Sequence, residues 1–77
     1  MTAYYKVRND ASVSSLSRIC MRIHELIDAP VLVDIAIKDV KDVRIYLMPP
    51  RSAAALAELR EDLPVTWASY LKIEEIL

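Results

Sequence analysis

The sequence predicts an α+β fold of six elements in the order β-α-β-β-α-β, with a four-stranded antiparallel sheet and two helices on one of its faces. Three observations predict it. Four segments alternate in hydropathy with the period of a half-buried strand, two others repeat apolar residues every three or four positions as a helix does, and prolines or polar runs separate them. At 77 residues the chain is about half of the ~150 residues of a typical domain, so residues 1–77 are read as one domain.

The first strand is "AYYKVR", residues 3–8, an alternating run with two tyrosines. A helix follows on the stripe Val13, Leu16, Cys20, Ile23 and Ile27, widened by Ile19 and Leu26. Asp10 or Ser12 can cap its start, and "DAP" at 28–30 stops it. "VLVDIAI" then sends Val31, Val33, Ile35 and Ile37 to one face of a second strand, and after the polar break "KDVKD" the segment "VRIYLM" does the same with Val43, Ile45 and Leu47. The two form a hairpin whose loop is longer than the two-residue glycine type. "PPRS" opens the second helix, with Ser52 as its cap and Ala55, Leu56, Leu59 and Leu63 on its apolar side, and Pro64 ends it. The last strand is expected over "VTWASYLKI", with Trp67, Leu71 and Ile73 turned inward. This order of elements is that of the ferredoxin-like two-layer sandwich.

A core of this size supplies only about 3–5 kcal/mol unless something staples it. The lone cysteine, Cys20, can form no internal disulfide, and Cys20 with His24 falls short of a structural zinc site. With 55 % apolar residues, the chain is expected to carry apolar surface beyond its core and to self-associate, as a homodimer. The unpaired thiol, the lack of a signal-type N-terminus and the shortness of every apolar run lead to a cytoplasmic expectation without membrane association.

If both helices cover one sheet face, the other face is open. On it the alternation places Tyr4, Lys6, Arg8, Arg44, Tyr46, Tyr70 and Lys72, together with Leu32, Asp34, Ala36, Lys38, Met48 and Ala68. Bases outnumber acids there, although the net charge of the chain is −1. This tyrosine and basic face is the expected interaction surface. Aromatic rings among bases on an open sheet are also how RNA-recognition modules stack single-stranded bases, but "VRIYLM" lacks their glycine-and-phenylalanine pattern, and a near-neutral total argues against broad nucleic-acid binding. Catalysis through Cys20 and His24, four apart on the first helix, would need an orienting carboxylate and an oxyanion turn that the sequence does not offer, so no enzyme activity and no cofactor are expected. The carboxylate pairs Asp39/Asp42, Glu61/Asp62 and Glu74/Glu75 lack the spaced, glycine-turned loop of a calcium site, so no metal is expected.

Three stretches carry a family likeness. "VRNDASV" offers Val7, Asn9 and Val13 around the turn between first strand and first helix, "LSRI" offers Leu16, Arg18 and Ile19, and "YLMPPRSAAALAELREDLPV" supplies a third strand, a Pro-Arg-Ser helix start and a valine entering the last strand. In these features the chain resembles ACT domains, most closely the short regulatory subunits of acetohydroxyacid synthase, with Ala11-Ser12 where that family has Pro-Gly. The resemblance implies a dimeric regulatory module of a biosynthetic enzyme, responsive to a branched-chain amino acid held at the turn by Asn9, Asp10, Ser12 and Val13. Apart from that resemblance, the same residues serve equally to turn and cap the chain. The functional expectation is a small non-catalytic regulatory or interaction module that modulates a larger protein partner. A ligand-free adaptor or inhibitor and a single-stranded RNA binder are its alternatives.

Overall fold

The computed structural model describes residues 2–35 and 43–76. The loop expectation at 38–42, and the placements of Ala36, Ile37 and Lys38, lie outside these residues. The chain runs β1 (Thr2–Val7), α1 (Val13–Ile27), β2 (Val31–Ile35), β3 (Val43–Leu47), β4 (Arg51–Ser52), α2 (Ala53–Glu61), α3 (Val65–Ala68) and β5 (Leu71–Glu75). Among the described residues it is an α+β fold with an open antiparallel sheet of five strands and with three helices, where four strands and two helices were expected.

The register fixes the order of the strands. Tyr5 pairs with both Ile45 and Ile73, so β3 and β5 flank β1 on opposite edges. Ala3 pairs with both Arg51 and Glu75, which puts β4 on the β3 side. β2 lies beyond β3, with Val33 opposite Ile45. Pro49 and Pro50 separate β3 from β4, since neither can donate to a ladder.

Odd-numbered strand residues share one face. Ala3, Tyr5, Val7, Ile45, Leu47 and Leu71 form one buried cluster with Ile19 and Ile23 of α1 and Leu56 and Leu59 of α2, so the helices cover this face. The Tyr5 hydroxyl donates to the carbonyl of Leu56, and the Arg60 guanidinium donates to the carbonyl of Leu71 at 3.0 Å, tying α2 to the sheet. Both expected serine caps form: Ser12 Oγ accepts from the Ser15 amide at 3.1 Å, and Ser52 Oγ from the Ala55 amide at 3.2 Å. α1 ends at Asp28 in the left-handed region (φ 49°), a conformation that asparagine and aspartate tolerate best after glycine, in a chain with no glycine.

The last strand is the main correction. Residues 65–68 form a short helix held by bonds from Ala68 N to Pro64 O and from Ser69 N to Val65 O, and the strand begins only at Leu71. The reason lies in the partner: Leu71–Glu75 already match Val7–Ala3 residue for residue, which leaves 64–70 free to turn. Trp67 and Ala68 therefore pack against the core from a helix, whereas Ala68 was expected on the open face. Val13 departs from expectation too, being 83 % exposed. It lies three residues before Leu16, on the same side of α1, but the buried part of that stripe centres on Ile19 and Ile23.

Candidate functional site

Even-numbered strand residues form the helix-free face, and the register arranges them in rows. One row reads Lys72, Lys6, Arg44 and Asp34 across β5, β1, β3 and β2, because Lys6 pairs with both Lys72 and Arg44, and Arg44 with Asp34. The next row holds Glu74 opposite Tyr4, and Tyr46 opposite Leu32. The Tyr4 and Tyr46 rings join the two halves of that row, with centroids 5.2 Å apart and planes tilted by 32°. At its β2 side Leu32, Tyr46, Met48 and Pro50 line a shallow groove of about 360 Å³.

Tyr4 is only 8 % exposed, yet it is no part of the helix-covered core. Its cover comes from its own sheet: the Tyr46 ring, the Arg44 guanidinium 5.3 Å from its centroid, and Glu74, whose carboxylate accepts from its hydroxyl at 2.8 Å. The Glu74 bond, and after it desolvation, raise the Tyr4 phenol above its ordinary pKa, while the Arg44 cation pulls it down. Leu32 is 54 % and Met48 45 % exposed, so apolar surface extends from the aromatic pair to the β2 edge.

The expected interaction face is thus partly assembled. Tyr4, Lys6, Arg44, Tyr46 and Lys72 come together on it. Tyr70 does not stand on a strand but in the turn before β5, where it packs against the core and the Arg8 guanidinium lies 4.7 Å from its ring centroid. Three aligned tyrosines become a pair. Glu74 was missed; continuing the alternation of the last strand two residues past Lys72 would have found it.

The turn between β1 and α1 is the second expected site. Asn9, Ser12 and Val13 line a pocket of about 210 Å³ whose walls also include Arg8 and the apolar Val7, Ala11, Leu16 and Val43. Asp10 faces Arg8 instead, in a two-point ion pair of 2.8 and 2.6 Å that holds its carboxyl below the usual carboxylate range. The first-turn amides of α1 look toward this end of the helix, and Ser12 already satisfies that of Ser15.

Cys20 packs against the core from α1, while His24 turns to the backbone just beyond that helix. His24 Nδ1 lies 2.8 Å from the Ala29 carbonyl, an acceptor only, so that nitrogen carries the proton. Burial pushes the half-buried Cys20 thiol up, away from the reactive thiolate. Among the described residues no three histidine, cysteine or acidic side chains converge as metal ligands, and no helix is long and apolar enough to cross a membrane. No known protein family, curated protein or solved structure matches the chain.

Proposed function

We propose that this chain is a small non-catalytic interaction module of ferredoxin-like shape that self-associates and regulates a larger protein. The reading takes β4 as the resumption of β3 after the two prolines, and the pairing of β5 with β1, β1 with β3 and β3 with β2 supports it. The observation that carries the reading is the helix-free face itself. A row of aromatic and apolar side chains ending in exposed Leu32 and Met48 lies on a sheet with nothing packed over it among the described residues. Exposed contiguous apolar patches rimmed by polar groups mark interaction sites, and tyrosine with arginine is the pairing that such surfaces favour. Sedimentation equilibrium of the full chain tests this: a concentration-dependent dimer is expected, and a monomer at every concentration would refute self-association.

A second layer of the proposal follows from the pocket at the β1–α1 turn. Its apolar walls, Val7, Leu16 and Val43, suit an aliphatic side chain, and the start of α1 suits a carboxylate. This favours an ACT-like regulatory subunit that senses a branched-chain amino acid on behalf of a biosynthetic enzyme. Valine, leucine or isoleucine should then raise the melting temperature while lysine and aspartate leave it unchanged, and the absence of any shift would leave the ligand-free module.

A further inference from the structure

Three cations side by side on adjacent strands are unfavourable in an isolated sheet, because like charges directly opposite one another repel. Lys72, Lys6 and Arg44 form such a row, which Asp34 closes beside Arg44 alone, and the row beside it, Glu74, Tyr4 and Tyr46, offers an anion and two π faces in the same three strand positions. We propose that two copies stack by their helix-free faces about a two-fold axis that runs across the strands between these rows. The inference rests on the self-association proposed above and supplies its geometry.

The rotation carries each row onto the other. Lys72 of one copy meets Glu74 of its partner, Lys6 meets Tyr4, Arg44 meets Tyr46 and Asp34 meets Leu32, and each contact occurs twice. Arg44 already stands over the Tyr4 ring of its own chain, so the arrangement extends an existing cation–π contact into the interface. The alternative two-fold, parallel to the strands between β1 and β3, would set Lys72 against Asp34 but Lys6 against Arg44, twice. Only the first rotation leaves no cation facing a cation. Leu32 and Met48, at the β2 side, lose exposed apolar surface in the stack.

A face about four strands wide, at ~4.8 Å per strand, is small beside the ~800 Å² per partner of a standard interface, so the dimer is concentration-dependent. The test uses two charge reversals, Lys72→Glu and Glu74→Lys, on the full chain. Each variant alone places like charges opposite one another in its homodimer and should dimerise at least about ten-fold more weakly than the parent. An equimolar mixture restores both pairs, glutamate at 72 against lysine at 74 and the reverse, and should form a heterodimer close to parental strength. Circular dichroism of each variant verifies that it is folded.

Restoration on mixing supports the proposal. A parent dimer unaffected by either reversal overturns this geometry while leaving self-association standing, as edge-to-edge pairing through β2 would. Two weakened variants that fail to rescue each other overturn it as well. A parent that is monomeric throughout overturns both the geometry and the self-association beneath it, and binding of single-stranded oligonucleotides by that monomer would assign the face to nucleic acid.

Discussion

Tyr4 and Tyr5 are adjacent, chemically identical and almost equally inaccessible, at 8 % and 0 % exposed, but they are covered by different means. Tyr5 lies under a second layer: α2 stands over it, and its hydroxyl donates into that helix. Tyr4 is closed off by neighbours in its own sheet, with no layer above it among the described residues. One alternation thus yields a face whose contacts hold the fold together and a face whose contacts leave it available. Low exposure alone does not distinguish them. The layer does, and so substitutions on the two faces should differ in what they damage.

The largest difference is expected for the residues that bridge sheet and helices. Ile45→Ala removes a fully buried side chain at the centre of the helix-covered face and should cost about 2–5 kcal/mol in urea unfolding, with a lower midpoint and little change in slope. A cost below about 1 kcal/mol would mean that the covered face is not the core.

The tyrosines provide the next contrast. Burial pushes the Tyr5 phenol up to about 12, against the weaker influence of Arg60 and Arg51. Its neutral form is the one that the fold favours, so its contribution is complete below the unfolded value near pH 10 and is lost as pH rises through the folded one. Over that window, about two pH units, stability should fall by roughly 2–3 kcal/mol. Tyr5→Phe, measured by denaturation from pH 9 to 12, should flatten the decline, whereas Tyr4→Phe should leave most of it in place.

How legible all this was follows from period and partner. The alternation in β1 and β3 and the three-and-four stripe of α1 are local, and they placed Tyr5, Ile45, Ile19 and Ile23 correctly before any contact was known. The last strand failed because "VTWASYLKI" alternates just as well as a strand does, and what decides its start is the length of β1, a residue pairing some sixty positions away. Glu74, and with it the anionic end of the aromatic row, was lost at the other end of that strand, which runs to Glu75 and not only to Ile73. The β1–α1 turn was legible as a cap through Ser12, but the Arg8–Asp10 pair, which takes Asp10 out of the pocket, depends on rotamers that no spacing reveals.

A smaller effect is expected at that cap. Ser12→Ala deprives the Ser15 amide of its acceptor at the start of a fifteen-residue helix and should cost about 1 kcal/mol, within a range of about 0.5–2. Ser12→Asp keeps an acceptor and adds a favourable charge at the helix start, so it should recover the loss. Failure of the aspartate to do so would mean that Ser12 acts through its hydroxyl proton, toward Ser15 Oγ at 3.0 Å, and not as a cap.

The smallest effect on folding is expected on the open face, where the comparison is sharpest. Leu32 is as large as Ile45 and sits on a strand paired with it, but more than half of it is in water. Leu32→Ser therefore removes little area that folding had buried, and unfolding measured at concentrations too low for association should change by less than about 0.5 kcal/mol. The same substitution should weaken dimerisation, because stacking would bury Leu32 at the β2 side of the interface. A folding loss approaching that of Ile45→Ala would instead place Leu32 beneath some part of its own chain, and the two faces would then differ only in degree.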